Sequence, residues 1–289
     1  MLPEIIRYNS LREMADVVID YPSSYYKSFG VDVFPAGNGM PTVVPDISPL
    51  RIFVKTDLLQ SCLSYLRLIA QPFHLLTGSS DLPGCDNPEF AENLRSTTKI
   101  VSWCGTNLEV NYSWMRCIPI GLEERGRRGR EHESICELFN FCEKKKEIDI
   151  YMPFFGDTNP IRKQLVDQIK RLNCARIEFE PRRLSLEKYV ERLKEARYTI
   201  CLPGNGYDII RVYEALLCHS TPIVFNTPIS EMHSRFGAKV IKQPNEIPAT
   251  QSPNNNENYV AMISYSVIRN EIFEHQSRCY DRKFSIESV

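Results

Sequence analysis

The residues most able to do chemistry lie in CLPGNGYDIIRVYEALLCHSTPIVF, 201–225. An apolar run ends in Pro203, Gly204, Asn205 and Gly206, a turn whose glycines let the backbone bend sharply and let a ligand come close. Asp208 stands where it can cap a following helix, whose first N–H groups and positive dipole end form a ready anion site. Arg211 and Glu214 fall one turn apart on that helix. Arg211 can grip a phosphate in a bidentate contact, and Glu214 can accept hydrogen bonds from vicinal ribose hydroxyls. The spacing fits a nucleotide. It equally fits an ordinary exposed charge pair, because Ile209 stands where a full Gly-x-Gly-x-x-Gly would have its third glycine.

Elements that alternate strand and helix must position these groups. RIFVK from Arg51 reads as a strand, and Asp57 can cap the helix through LLQSCLSYLRLIA, whose apolar residues recur at helical spacing. FHLLTG is a second strand, running into the turn SSDLPG. PEFAENLR is a short helix, and TKIVSWCG and MRCIPIGL are further strand-like pieces. The alternation restarts at IDIYMPFF. The loop GDTNP follows, then a helix with Pro160 in its first turn and Arg162 just inside it. ARIEFE, YTICLP and TPIVF read as strands, and SLEKYVERLKEAR as an amphipathic helix capped by Ser185. Residues 1–50 are Tyr-, Pro- and Gly-rich and read as an irregular segment packed on the first domain. EERGRRGREHE (123–133) reads as a solvated loop or as a phosphate or acidic-partner patch, QSPNNNEN (251–258) as a polar loop, and the C-terminal end as one or two long helices. The pattern gives an α/β chain: an N-terminal Rossmann-like domain over 1–143, a second over 144–260, and a helical tail over 261–289 that packs back on the first. Two such parallel sheets facing a cleft would place ligands beyond the carboxyl ends of their strands.

Composition narrows the function classes. The 289 residues carry 35 Lys+Arg against 36 Asp+Glu, so the net charge of −1 gives no general pull toward nucleic acid or an anionic membrane. No apolar run reaches the ~18 residues of a membrane span, and MLPEIIRYNS does not read as a secretory signal. The ten cysteines show no Cys-x-x-Cys or zinc-finger spacing and read as packed free thiols of a cytosolic chain, and the sequon at Asn111 as coincidence. His74 lies mid-strand and reads as a packed side chain. Trp103 and Trp114 can stack on sugars or fill a core.

PGNGYDIIRVYEALLCHSTPIV, together with FHLLTGSSDLPG and CIPIGLE upstream, resembles exostosin-like glycosyltransferases, including compact viral members of that group, over roughly residues 50–230. The departure is Cys218-His219-Ser220, where relatives often carry a Gly. The resemblance implies the two-Rossmann GT-B fold. It also implies transfer from a UDP-sugar, xylose being one candidate, to a hydroxyl of a glycan acceptor, with inversion and with neither metal nor other cofactor. The other large glycosyltransferase fold holds its cation on Asp-x-Asp, and no two aspartates here are two positions apart. Arg162, Gly204, Asn205, Gly206, Asp208, Arg211 and Glu214 would line the donor side, with Arg162 and Arg211 taking the leaving-group charge. Thr77, Gly78 and Ser79 would line the acceptor side, and Asp81 would be the general base, although SSDLPG is also turn chemistry in its own right. Glu123 is a weaker acceptor-side candidate. Two other uses of these residues stay open: a nucleotide- or glycan-binding module without turnover, and another sugar-nucleotide enzyme such as an epimerase or phosphorylase.

Overall fold

The computed structural model describes residues 10–21, 33–34, 46–122, 139, 145–247 and 264–286. The chain divides into two compact units, one of Tyr8–Ile120 with Ser266–Val289, the other of Gly121–Tyr265 with Met1–Arg7. Residues 123–133 and 251–258 lie outside the described residues.

The first unit is built on a parallel sheet ordered β2-β1-β3-β4-β5-β6. Its strands are β1 (Val17–Ile19), β2 (Val33–Phe34), β3 (Leu50–Lys55), β4 (Phe73–Gly78), β5 (Ile100–Gly105) and β6 (Met115–Cys117). Every residue of β4 and β5 is buried, as expected of a parallel sheet covered on both faces. Its helices are α1 (Ser10–Glu13), α2 (Leu59–Leu68), α3 (Pro88–Thr97) and the long C-terminal α8 (Tyr265–Ile286). Asn87 starts α3 by accepting the N–H groups of Glu89 and Phe90, with Pro88 at the first helical position. Thr77 pairs in register with Gly105, where a Cβ would fall 2.2 Å from the Thr77 hydroxyl, so only glycine fits. α8 binds its own unit through Arg116 to Glu271 (2.8 Å), Arg51 to Gln276 (3.1 Å) and Lys283 to the Ile100 carbonyl (2.8 Å).

Two expectations are corrected in this unit. Residues 1–50 are not merely an irregular segment, because β1 is an internal strand between β2 and β3. Its three apolar residues are too few to show a period and are held by parallel partners far along the chain. Asp57 does not cap α2: a 3-10 turn, Thr56–Leu58, intervenes, and the first residue before the helix is Leu58, without a side-chain cap.

The second unit repeats the plan. Its strands are β7 (Ile148–Met152), β8 (Ile177–Phe179), β9 (Ala196–Ile200), β10 (Thr221–Phe225) and β11 (Lys239–Ile241), parallel in the order β11-β10-β9-β7-β8. Its helices are α4 (Pro160–Arg171), α5 (Leu186–Glu195), α6 (Ile210–Leu217) and α7 (Ser230–Arg235). β11 and α7 are additions to what the pattern predicts. Ser185 caps α5 through the Lys188 N–H, as its position suggests. Counting from each unit's first strand, the first sheet runs 2-1-3-4-5-6 and the second 2-1-3-4-5, an α/β order of the Rossmann-like kind in which the direction of winding reverses between the first and third strands. Those reversal points are β1/β3 and β7/β9, and ligands of open α/β sheets bind beyond the carboxyl ends of strands at such points. Among the described residues no helix is long and apolar enough to cross a membrane.

At the end of α6, His219 has φ 52°, the left-handed conformation in which helices usually place glycine. His219→Gly is expected to raise the stability of this unit by about 1 kcal/mol, seen as a higher urea midpoint at unchanged slope.

Candidate functional site

At the β7/β9 reversal point, the loop after β7 leads into α4 and the loop after β9 into α6. Each helix carries an arginine in its first turn: Arg162 is the third residue of α4 and Arg211 the second of α6. The guanidinium carbons lie 5.2 Å and 4.3 Å from the centre of one aromatic ring, that of Phe155 in the loop after β7.

Arg162 is 9% exposed. Its guanidinium donates to the carbonyls of Pro203 (3.0 Å), Leu202 (3.3 Å) and Gly156 (3.1 Å) and to the Thr158 hydroxyl (2.7 Å). Asn159 adds a second tie, capping α4 through the Ile161 N–H and donating to the Gly204 carbonyl at 2.5 Å. The two loops are therefore stapled together. The turn itself closes on a Gly204 N–H to Gly206 carbonyl bond of 3.0 Å, with Asn205 exposed at its tip. A Cβ on Gly204 would stand 3.3 Å from the Arg162 guanidinium, so glycine there leaves the guanidinium room. Asn159, Thr158 and Phe155 were not singled out from sequence, although Asn before Pro at a helix start is the signal that reveals Asn159.

The charge balance of this site is unusual. Among the described residues neither Arg162 nor Arg211 has a carboxylate within ion-pair distance. Burial, and after it the neighbouring Arg211, pull the Arg162 pKa down to about 10. Burying a cation without a counter-charge is unfavourable, and a bound anion would offset that cost. Among the described residues Arg211 makes one hydrogen bond, to the Phe154 carbonyl at 3.3 Å, and its buried Nε has no partner. Ile209, just before α6, gives the helix no side-chain cap, and while the Val212 N–H donates to the Ile209 carbonyl, the first two amides, of Ile210 and Arg211, are left to a ligand.

The carboxylates expected here are placed differently. Asp208 does not cap α6. It is 3% exposed, and accepts from the Tyr213 hydroxyl at 2.7 Å while His233 Nε2 lies 3.0 Å away. Glu214 is 2% exposed and accepts from Tyr189 at 2.8 Å, so it forms no pair with Arg211 and presents no face to solvent. Both acids brace the helix behind the turn. Sequence spacing put them beside Arg211, but only their long-range partners decide which way they point.

In the first unit, Thr77 is fully buried and accepts from Trp103 Nε1 at 2.8 Å, which makes it part of the core. Gly78 ends β4. Ser79 is buried, with φ 58°, and Asp81 is exposed in the turn beyond it. Trp103 and Trp114 are core residues at 0% and 3% exposure. His74 is packed, as its position suggests. Glu123 lies outside the described residues. The eight described cysteines are free. Burial pushes the Cys62 and Cys85 thiols up to about 11 and those of Cys201 and Cys218 to about 12, far from thiolate chemistry near neutral pH.

Chemically, the β7/β9 site can hold a multiply charged anion: two guanidiniums, uncapped helix amides and a glycine turn converge on one loop pair, with aromatic surface beside them. No protein-family model matches the chain, and no curated protein matches it in sequence.

Proposed function

We propose that the chain is a glycosyltransferase of the GT-B kind that takes a UDP-sugar at the β7/β9 site and passes the sugar to a glycan hydroxyl bound by the first unit. One observation carries this reading: two arginines without carboxylate partners share the Phe155 ring at the winding reversal of a parallel sheet, beside the Gly204–Gly206 turn. That is a pyrophosphate-sized cluster of positive groups where open α/β sheets take nucleotides. The resemblance to exostosin-like enzymes supplies the sugar.

In this mechanism Arg211 and the α6 amides bind the diphosphate and stabilise the charge that grows on it as the C1–O bond breaks. Arg162, fixed by four hydrogen bonds, holds the loop geometry and adds its charge from beneath. The acceptor oxygen forms the new bond to C1, the electron pair of the old bond leaves with UDP, and Asp81 takes the hydroxyl proton. The protein's own cations do what a divalent ion does elsewhere.

Titration calorimetry of UDP in buffer with and without EDTA tests the reading. UDP is expected to bind equally in both. No binding, or binding abolished by the chelator, would overturn it.

A further inference from the structure

The first unit has its own reversal point, between β1 and β3, and it too is lined with polar groups. Asp20 and Tyr21 follow β1, Lys55 ends β3, Asp57 comes two residues later, and Ser79 and Ser80 follow β4. Arg12, 3% exposed, pairs with the buried Asp20 through its Nε (2.8 Å) and also donates to the Ser79 hydroxyl. Lys55 donates to the Ser79 carbonyl. Ser79 is thus held in the left-handed region at φ 58° by charges on both its side chain and its backbone. Strain of this kind persists only where the surroundings over-determine it, and it gathers at ligand sites.

The outcome of that strain is a positioned carboxylate. Ser80 donates its hydroxyl proton to Asp57 Oδ1 at 2.6 Å, and Lys55 pairs with Oδ2. Asp57 keeps 27% of its side chain exposed and Lys55 keeps 17%. Tyr21 stands 55% exposed beside them, its ring centre 5.9 Å from the Lys55 ammonium. Ser80 itself is buried and also accepts from the Leu82 N–H, so it serves to orient the carboxylate. A carboxylate acceptor, an ammonium donor and a bare aromatic ring suit a neutral polyol. A phosphate would be repelled by Asp57, and a cation by Lys55. A sugar ring offers O–H donors to the one, oxygen acceptors to the other and an apolar C–H face to the ring.

We infer that Tyr21, Lys55 and Asp57, the last oriented by Ser80, form a saccharide site at the carboxyl ends of β1, β3 and β4, with Asp57 accepting from ring hydroxyls. The ligand class rests on the sugar-transfer reading, in which this unit takes the acceptor; the geometry does not. Asp57 holds the ring while Asp81 serves the reacting hydroxyl.

Saturation-transfer NMR on the full chain, without nucleotide, with the methyl glycosides of glucose, galactose, mannose and xylose tests the site. At least one glycoside is expected to bind. Asp57→Asn and Tyr21→Ala should each weaken it tenfold or more, and Asp86→Asn, an exposed carboxylate outside the cluster, should leave it within twofold. Tyr21→Ala removes a mostly exposed side chain, so its loss of binding reads the contact, and melting curves check that Asp57→Asn is folded. No contact from any glycoside, or contact unchanged in Asp57→Asn, overturns the site. UDP calorimetry on the same samples keeps the two readings apart. Asp57-dependent glycoside binding without UDP binding would support this site and remove the donor reading; UDP binding without glycoside contact would do the reverse.

Discussion

Arg211→Ala is expected to weaken UDP binding about a hundredfold, with the melting temperature little changed. A charge-assisted contact to a phosphate is worth roughly 1.5–3 kcal/mol, and each 1.4 kcal/mol is about tenfold in affinity. The loss of stability should be small: among the described residues Arg211 makes one long hydrogen bond, to Phe154, and its contacts with the Phe155 and Tyr189 rings are offset by its repulsion of the buried Arg162 beside it. A large loss of affinity at a small cost in stability is the expected signature of a binding group. Arg162→Ala should differ, losing affinity and stability together, since it also removes four hydrogen bonds that staple the loops after β7 and β9. Asp81→Asn should stop transfer while leaving UDP affinity within twofold. Calorimetry and differential scanning on the three variants check this. Unchanged UDP affinity in Arg211→Ala would remove the β7/β9 site from the account.

The second large effect concerns acid. His74, the second residue of β4, is 2% exposed, with Nδ1 2.8 Å from the Ser102 hydroxyl. Burial, then the charges of Arg51 and His275, push its pKa down to about 3. The native imidazole thus stays neutral while an unfolded chain takes up a proton below its ordinary pKa near 6.5. The unfolded state binds more protons between those two values, so stability rises with pH there and is lost as pH falls from about 6.5 toward 3. The slope approaches about 1.4 kcal/mol per pH unit, for a loss on the order of 5 kcal/mol by pH 3. Both tryptophans of the chain, Trp103 and Trp114, lie in the first unit, so their fluorescence reports on it alone. Urea titrations at pH 7, 6, 5 and 4 should show the wild type losing stability steadily against His74→Gln, which cannot take the proton. Parallel curves for the two proteins would contradict this.

How far the sequence was legible depended on the range of the interactions involved. The β7 and β9 strands, the glycine turn, the Pro160 helix start and the Ser185 cap are written in neighbouring residues and could be read directly. The places of Arg162 and Arg211, each in the first turn of a helix that follows a strand, could be read the same way. Asp208 and Glu214 were placed at the right positions with the wrong orientation, because their partners, His233 and Tyr189, are each 25 residues away. β1, β2 and β11 have three, two and three residues, too short for any periodicity. Asp57 looked like a helix cap because Asp before an apolar helix usually is one. The 3-10 turn at Thr56–Leu58 sets it instead against Ser80 at the end of β4, and nothing in one stretch of sequence announces that.

The return of α8 to the first unit has a consequence for biosynthesis. On the ribosome, strands β1 to β6 emerge early, but the helix that supplies Glu271, Gln276 and Lys283 to them is made only after all five strands of the second sheet. The apolar cluster that Cys279 of α8 joins must therefore wait, incompletely covered, through the synthesis of the whole second unit.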